Sequence, residues 1–378
     1  MTSSSPPPSS PSTRPVPVAI LGATGTVGQR MVQLLDGHPW FSVVALAASP
    51  RSAGRGYREA AAWTLGGEVP EAVAGLTVVT PDPDALARAA GGTLPPLVLS
   101  ALDASVAGPV ESELAAAGAL VVSNARSHRM DPSVPLVVPE VNPQHLALLD
   151  GRPGPGGIIT NPNCSTIGLV LALAPLHRRW GVESVHVATL QALSGAGLPG
   201  VPAMEIMDNV IPFIGGEEEK LETETLKILG ELSGGGIVPA PFRISAQCSR
   251  VPVTDGHLEF VSVGLAGDPT PQEVARELAG FRSPLVGGAD GEGEPGLPSA
   301  PEYPIRVLEA SDAPQPRKHR DLGGGMTVSV GRIRPCPLLT VRMAVLSHNT
   351  VRGAAGGALL CAELALREGR LAGAGVEA

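Results

Sequence analysis

The sequence predicts an α/β fold built from a Rossmann-type domain and a second, α+β domain. Up to about residue 160, short apolar runs alternate with helical patterns, which is typical of a doubly wound, mostly parallel sheet. Beyond that point, longer runs alternate polar and apolar residues, as strands with one solvated face do. With 378 residues, 43% of them hydrophobic, the chain is long enough for two cores.

The composition argues against several classes of partner. The net charge is −9 and there is no basic tract, which disfavours nucleic acid and acidic membranes. Aromatic residues make up only 3% of the chain, too few for a base-stacking surface. No apolar run is long enough to span a membrane. Residues 1–15 are rich in serine and proline, so we expect a disordered tail there.

The four cysteines, at positions 164, 248, 336 and 361, are widely spaced and form no CxxC pair. This pattern fits neither a zinc site nor a disulfide framework. We therefore expect free thiols, no metal site and a reducing, cytoplasmic compartment.

A glycine turn follows the first expected strand, Val16–Leu21. The turn reads GATGTVG at residues 22–28, and a helical pattern begins at Gln29. This context suits a dinucleotide site, because glycines let a pyrophosphate approach the helix N-terminus. The spacing is GxxGxxG rather than GxGxxG, and the alternative is a βα turn without a ligand. The residues expected to contact a dinucleotide are Gly22, Thr24, Gly25, Thr26 and Val27.

The end of the second strand, Ser42–Ala48, indicates which dinucleotide would bind. An NAD site places an acidic residue there, on the ribose hydroxyls. This chain instead has Ser49, Arg51 and Ser52, and hydroxyls beside an arginine suit a 2′-phosphate. We therefore expect NADP. The alternative is a solvated basic loop.

A second candidate anion ligand follows the last of three further strands. These strands are expected at 77–79, 97–101 and 119–123, with helices at 82–90 and 106–117 between them. The segment SNARSHRM (123–130) comes directly after the third strand, at the sheet edge where open α/β sheets bind ligands. Arg129 is therefore either an anion ligand or an ordinary surface arginine.

Cys164 is the candidate nucleophile. A strand-like run at 156–160 precedes it and an apolar helical pattern at 167–176 follows it, so it falls at or just before a helix start. Unpaired N–H groups and the helix dipole at that position stabilise an anion, and they lower the pKa of a cysteine thiol. The alternative is a small buried hydrophobic residue.

The second domain offers a cationic residue and a histidine close together. Strands are expected at 244–253 and 258–265, joined at a turn that leaves Arg250 and His257 near one end. The remaining elements are a strand at 183–192, the loop QALSGAG (191–197), a charged helix at 215–229, a mobile segment at 283–302, strands at 303–307, 326–333 and 338–346, and a helix at 358–367. Charges on such a helix usually form a solvated face, and the last helix is expected to pack on the first domain.

Seven motifs now stand together in one order: GATGTVGQR, SNARSHRM, NPNCSTIG, QALSGAG, GGEEEK, SRVPVTDGHLEF and SHNTVRGAAGG. Together they resemble the aspartate-β-semialdehyde dehydrogenase family, most closely its archaeal and fungal branch, over nearly the whole chain after residue 15. The resemblance implies a glyceraldehyde-phosphate-dehydrogenase-like arrangement. Residues 16–163 plus 350–378 would form the NADP-binding domain, and residues 164–349 the catalytic and dimerisation domain of a homodimer or homotetramer.

The resemblance also implies roles for individual residues. Cys164 would be the nucleophile and His257 the acid/base residue. The substrate-binding residues would be Arg250 for the carboxylate, Glu217 for the ammonium, Lys220 and Arg129 with Asn124 for the phosphate, Gln191 for orientation and Asn163 for the oxyanion environment. Ser194, Gly195 and Asn349 would lie beside the nicotinamide.

The implied reaction is the NADPH-dependent reduction of L-aspartyl-4-phosphate to L-aspartate 4-semialdehyde and phosphate, through a thioester on Cys164, in lysine, threonine and methionine biosynthesis. Two reductases on the same fold stay open: N-acetyl-γ-glutamyl-phosphate reductase, which needs no acidic residue for an ammonium, and malonyl-CoA reductase. Glyceraldehyde-phosphate dehydrogenase shares the cysteine and histidine but not these motifs. A non-enzymatic Rossmann-type binding protein is disfavoured by the intact Cys164 and His257.

Overall fold

The computed structural model describes residues 15–152, 154, 156–286 and 296–371. The expected N-terminal tail lies almost entirely outside the described residues, as does the middle of the segment 283–302. No helix within the described part of the chain is long and apolar enough to cross a membrane.

A six-stranded parallel sheet forms the first half of the molecule. Its strands are β1 (Val16–Leu21), β2 (Phe41–Ala47), β3 (Val78–Val79), β4 (Leu97–Ser100), β5 (Leu120–Ser123) and β6 (Gly157–Thr160). They lie in the order β3-β2-β1-β4-β5-β6, and every neighbouring pair is parallel. This is the doubly wound dinucleotide-binding order, with a reversal between β1 and β4. The predicted Rossmann-type sheet is confirmed.

Helices cover this sheet. They are α1 (Thr26–Leu34), α2 (Tyr57–Ala60), α3 (Glu71–Ala74), α4 (Pro83–Ala89) and α5 (Ala104–Ala116), with a 3₁₀ segment at Pro143–Gly151. The last helix of the chain returns to the same sheet. Its residues Leu359 and Leu360 share one core with Val18, Ile20 and Leu97.

The second half contains a mixed six-stranded sheet and its helices. In chain order the elements are α6 (Cys164–Trp180), β7 (Val182–Gln191), α7 (Ala203–Ile206), α8 (Glu217–Ile228), β8 (Glu231–Ser233), β9 (Gly236–Val238), β10 (Arg243–Arg250), β11 (His257–Leu265), α9 (Pro271–Gly280), β12 (Ile305–Leu308), α10 (Pro316–His319), β13 (Val328–Pro335), β14 (Val341–Ser347) and α11 (Gly356–Arg367). Short 3₁₀ segments lie at Leu193–Ala196 and Leu322–Gly325, and a π-helical turn at Val351–Ala355. The strand order is β10-β7-β11-β14-β13-β12, while β8 and β9 form a separate hairpin.

The strands that carry Arg250 and His257 run antiparallel and bring both residues to one end, as predicted, but the two strands do not pair with each other. β7 lies between them, parallel to β10 and antiparallel to β11. The six residues between β10 and β11 therefore cross the end of β7. As a result, Gln191, Arg250 and His257 stand at the ends of three neighbouring strands, on one edge of the sheet.

The long helix α6 connects the two sheets. Its residues from Ser165 to Leu176 are all buried. Leu169, Leu171 and Leu173 pack in one core with residues of β7, β11 and β14. Because α6 begins directly after β6 and lies against the second sheet, its first residue stands where the two halves meet.

Candidate active site

Cys164 is the first residue of α6, as its predicted position required. The preceding residue, Asn163, caps the helix: its side-chain oxygen accepts the N–H groups of Ser165 at 2.9 Å and Thr166 at 3.3 Å. Of the first three amides of the helix, only that of Cys164 has no acceptor among the described residues. The start of α6 is therefore a mostly satisfied helix end.

His257 contacts the cysteine directly. Its Nε2 lies 3.2 Å from the Cys164 Sγ. Its Nδ1 accepts the backbone N–H of Ala192 at 3.0 Å, so a neutral imidazole carries its proton on Nε2, a tautomer assigned from that hydrogen bond. In this arrangement the imidazole donates toward the sulfur and has no free lone pair with which to take the thiol proton.

The charge states of this pair differ from those the sequence predicted. Burial raises the pKa of the Cys164 thiol to about 12; the Glu217 carboxylate adds to the rise, and Arg129, Lys220 and Arg250 oppose it. Burial also lowers the pKa of His257 to about 3. The direction of the shift is thus opposite to the lowering expected at the helix start, where Asn163 already occupies two of the first three amides.

Arg250 and Gln191 stand side by side at the edge of the second sheet. They are partners in the register of β10 and β7, and both are buried. The Arg250 Nη1 donates to the Ala192 carbonyl at 2.7 Å. A side chain at Gly195 would be impossible without movement, since its Cβ would lie 2.8 Å from that Nη1 and 3.1 Å from the His257 ring. The structure thus brings Gln191, Gly195, Arg250 and His257 together.

Asn349 joins two loops beside His257. Its Nδ2 donates to the Ser194 Oγ at 2.8 Å, and its Oδ1 accepts the N–H of Gly256 at 2.8 Å. The three residues expected beside a nicotinamide, Ser194, Gly195 and Asn349, are therefore neighbours at the Cys164–His257 pair.

Glu217 and Lys220 face the site from the first turn of α8. The Glu217 carboxylate accepts the Asn163 Nδ2 at 2.7 Å and the Lys220 Nζ at 2.7 Å. Burial would raise the pKa of Glu217, but the Lys220 ammonium and the hydrogen bonds from Lys220 and Asn163 hold it below its ordinary value. Asn163 is thus committed to the helix cap and to Glu217, which limits the oxyanion role predicted for its side chain.

Glu224, farther along α8, ties Arg129 to the start of α6. One carboxylate oxygen accepts the Arg129 Nη1 at 2.9 Å, and the other accepts the backbone N–H of Asn163 at 2.7 Å. The Arg129 Nη2 donates to the Asn124 carbonyl at 2.6 Å. Arg129 is only 7% exposed, so it is no ordinary surface arginine.

Lys227 holds the backbone of the same loop. Its Nζ donates to the carbonyls of Arg129, Asp131 and Val134 at 2.7, 2.7 and 2.9 Å. Burial lowers its pKa to about 8. Glu224 and Lys227 were missed by the sequence reasoning. The positions 217, 220, 224 and 227 are three or four residues apart, so their four charged side chains lie on one face of α8. This regular spacing was the signal that could have identified Glu224 and Lys227 as part of the site.

The Asn124 side chain forms hydrogen bonds within the protein. Its Oδ1 accepts the Asn161 Nδ2 at 2.9 Å, and its Nδ2 donates to the Ser100 carbonyl at 3.2 Å. It joins the ends of β4, β5 and β6.

The glycine turn after β1 is closely packed. Gly22 has a φ of +68°, and a Cβ there would lie 2.4 Å from the Ala101 carbonyl oxygen, while a Cβ at Gly28 would lie 2.2 Å from that of Gly22. Helix α1 starts after Gly25 with no side-chain cap. Its first amides, from Thr26 and Val27, are thus left for an anionic ligand.

The turn after β2 lies at the same sheet edge. The Ser52 N–H donates to the Ser49 carbonyl at 2.8 Å, and Ser49 and Arg51 are exposed. An uncapped helix start beside an exposed arginine and two serines is a donor set that fits a phosphorylated dinucleotide.

One more contact to the nucleophile was not predicted. In the π-helical turn Val351–Ala355, a Cβ on Gly353 would lie 2.8 Å from the Cβ of Cys164. The neighbouring Arg352 forms a buried two-point ion pair with Glu140, at 2.7 and 2.6 Å. The sequence analysis assigned no role to Gly353, Arg352 or Glu140, although the first two lie in the motif SHNTVRGAAGG.

Comparisons with known proteins show similarity to one family. Family models described as "Semialdehyde dehydrogenase, NAD binding domain" and "Semialdehyde dehydrogenase, dimerisation domain" match residues 17–149 and 173–352. The aspartate-semialdehyde dehydrogenase of Methanothermobacter thermautotrophicus is 48% identical over 358 residues, covering 92% of this chain and 98% of the relative. That of Saccharomyces cerevisiae is 43% identical, covering 92% and 96%.

Among solved structures, the aspartate semialdehyde dehydrogenase of Candida albicans with NADP superposes with a TM-score of 0.84 at 42% identity, covering 94% of this chain and 99% of that one.

Proposed function

The chain belongs to the aspartate-semialdehyde dehydrogenase family, and from this premise we propose that Cys164 forms a thioester with the acyl group of L-aspartyl-4-phosphate. NADPH-dependent reduction of that thioester then yields L-aspartate 4-semialdehyde. The observation that carries the proposal is the 3.2 Å contact between Cys164 and His257 at the junction of the two sheets. A cysteine in contact with an imidazole N–H that can stabilise developing negative charge suits acyl transfer.

The charges around Cys164 match a substrate with two anionic ends and one cationic group. Arg250 would hold the α-carboxylate, and Glu217, ionised and facing the site, would hold the ammonium. Lys220 and Arg129 would hold the phosphate. Each is already paired in this structure, so the substrate would exchange protein contacts for its own. Such preformed partners keep the site ordered before substrate arrives.

The proton balance gives His257 a donor's role. When the Cys164 sulfur attacks the acyl carbon, the C–S bond forms and the C–O bond to phosphate breaks. The thiol proton passes to the departing phosphate oxygen, so that the phosphate leaves as hydrogen phosphate, because Nε2 of His257 already bears a proton and cannot take another from the thiol. That N–H is then available to stabilise the negative charge that develops on the sulfur and on the substrate oxygen.

NADP would lie along the carboxyl edge of the parallel sheet. The uncapped start of α1 would take the pyrophosphate and Ser49, Arg51 and Ser52 the 2′-phosphate, with Ser194, Gly195 and Asn349 beside the nicotinamide. When bound, the reduced cofactor supplies a hydride. The chain's own contribution is to hold the acyl carbon on Cys164 against that face and to keep water from the thioester.

The wider assignments rest on the family and remain part of the proposal. The domain division is 16–163 plus 350–378 and 164–349, with homodimers or homotetramers formed through the second domain. The pathway is the biosynthesis of lysine, threonine and methionine, including diaminopimelate. A cytoplasmic location is supported by four cysteines that are all free.

The test is an assay of NADP⁺ reduction with aspartate semialdehyde and phosphate. We expect turnover that depends on both, and none when N-acetylglutamate semialdehyde replaces the substrate. NADPH oxidation by malonyl-CoA in the reverse direction is the matched comparison. Turnover with malonyl-CoA and none with aspartate semialdehyde would assign the chain to the other reductase.

A further inference from the structure

The segment that returns the chain to the first sheet contains a π-helical turn at Val351–Ala355. The N–H of Gly353 donates to the His348 carbonyl at 3.0 Å, and that of Ala355 to the Thr350 carbonyl at 3.1 Å, each across five residues. Such turns are uncommon and occur frequently at functional sites. This one packs between α1, which begins at the glycine turn, and α6, which begins with Cys164.

Gly353 in this turn lies directly against the nucleophile. A Cβ built on it would be 2.8 Å from the Cys164 Cβ, 2.9 Å from its Cα and 3.0 Å from its carbonyl oxygen. These are backbone and first side-chain atoms, which cannot move aside by a rotamer change. Glycine is therefore required here for space, and the surface of the turn is pressed against the Cys164 main chain.

Hydrogen bonds on both sides of Gly353 hold the turn in place against Cys164. Arg352 donates to both carboxylate oxygens of Glu140, at 2.7 and 2.6 Å, and both side chains are at most 1% exposed. The Asn161 Nδ2 donates to the Ala354 carbonyl at 3.3 Å. The contacts on both sides of Gly353 thus fix the turn to the strand and loop that precede α6.

We propose that Gly353 is a positioning residue, which fixes the main chain of Cys164 relative to His257 and to the cofactor face. The same segment carries Asn349, which is joined to Ser194 and to the residue before His257. One short stretch therefore sets the nucleophile, the imidazole and the expected nicotinamide neighbour together. The inference rests on the proposed function for its role in turnover, but the contact itself does not.

The experiment compares Gly353→Ala with Gly356→Ala, a change in the same segment. A Cβ at Gly356 would lie 2.5 Å from the Met326 sulfur, which can move, and 3.1 Å from the Val351 side chain and carbonyl oxygen, and none of these nearest atoms belongs to Cys164. Three quantities are measured on the full-length protein: the rate at which iodoacetamide alkylates Cys164, the dissociation constant for NADPH, and kcat with aspartate semialdehyde and phosphate. Because misplacing a reacting group by about an ångström can cost about a hundredfold, we expect Gly353→Ala to slow alkylation and kcat about tenfold.

The NADPH dissociation constant is expected to stay within about twofold, and Gly356→Ala to leave the alkylation rate near that of the wild type. Unchanged alkylation and kcat in a folded Gly353→Ala protein would overturn the proposal. If Gly353→Ala does not fold, Arg352→Lys decides: it leaves Gly353 in place, loosens the anchor to Glu140, and should slow alkylation. Loss of folding in both variants would make the turn only a core element, and would also overturn the proposal.

Alkylation separates this inference from the proposed function. If aspartate semialdehyde gives no turnover with the wild type, the proposed function fails, while slower alkylation of Gly353→Ala still supports positioning. If turnover is normal in both proteins, the proposed function stands and the inference fails.

Discussion

Helices α1 and α6 both begin at the carboxyl edge of the parallel sheet, yet their first turns are built in opposite ways. Helix α1 starts after Gly25, which has φ −81° and ψ 170° and provides no side-chain cap. Helix α6 starts after Asn163, whose side chain accepts two of the helix amides. One helix end keeps its N–H groups for an outside anion, and the other uses them on its own chain.

The difference shows that a helix start does not always offer its first amides to an anion; the residue before the helix decides whether those amides are free. At α1 the amides remain an anion site, which suits a pyrophosphate. At α6 the cap takes the amides, and burial then raises the pKa of the thiol that follows. The capped helix holds Cys164 in place, and its reactivity has to come from His257 and from the cationic residues around it.

The largest effect is expected from Cys164→Ser, which removes the thiol at the start of α6. We expect kcat to fall by at least about 10³-fold, because a hydroxyl with its high pKa is a far weaker nucleophile and leaving group than a thiol. Steady-state NADP⁺ reduction measures it. Cys248→Ser, which changes a buried cysteine on β10, is the control and should keep most of the activity. Turnover near the wild-type level in Cys164→Ser would remove the nucleophile from the mechanism.

The pH dependence of alkylation tests whether the amides of α6 stabilise a thiolate. Desolvation raises the pKa of Cys164 to about 12. Below that value the thiolate fraction grows about tenfold per pH unit, so the iodoacetamide rate should rise about a hundredfold from pH 7 to pH 9. Cys164→Ser supplies the background rate. A plateau between pH 6 and 8 would mean that the helix end lowers the pKa after all.

Giving α1 the cap of α6 should abolish its anion site. At Gly25 the φ suits an asparagine, and a Cβ would lie 3.4 Å from the Gly22 oxygen, an acceptable contact. We expect Gly25→Asn to weaken NADPH binding about tenfold, because its side chain competes for the amides, and to raise the unfolding free energy by a few tenths of a kcal/mol. Fluorescence titration and denaturant unfolding measure the two effects.

The control is Gly37→Asn, just beyond the C-terminal end of α1. Its φ of +69° and open surroundings tolerate an asparagine. It should leave NADPH binding unchanged. Equal affinity in Gly25→Asn and the wild type would show that the pyrophosphate is held elsewhere.

The smallest expected effect is that of removing the cap from α6. Asn163→Ala should lower the unfolding free energy by about 1 kcal/mol. It should also free two amides next to Cys164, which favours the thiolate and speeds alkylation at pH 7 about two- to fivefold. Chemical denaturation and the iodoacetamide rate measure these. Slower alkylation would mean that placing Cys164 matters more to its reactivity than the amides do.

The sequence predicted the first sheet well because its signals are local. Strand, glycine turn and helix follow one another within twenty residues around Gly25, and the apolar runs of β4 and β5 are continuous. The sequence signal for the start of α6 was equally local. Each of these depends on neighbours in the chain, so the pattern of residues was enough.

The failures involve partners that lie far apart in the chain. The turn between β10 and β11 gave no sign that β7, some sixty residues earlier, lies between these two strands. The thiol pKa was wrong because burial of Cys164 depends on segments that come from elsewhere, including the turn with Gly353. Glu224 and Lys227 were missed because helical charges are usually solvated, and only the packed structure shows that this face of α8 lies on the loop of Arg129.

That last contact has a mechanical consequence. The loop from Asn124 to Val134 continues from β5, yet four hydrogen bonds fasten it to α8: Glu224 accepts one from Arg129, and Lys227 donates three to backbone carbonyls. Because these hydrogen bonds attach the loop to α8, we expect the loop to move together with that helix. If the two sheets rotate against each other, we expect these bonds to carry Arg129 with α8, so that Arg129 keeps its spacing from Glu217 and Lys220 on the same helix.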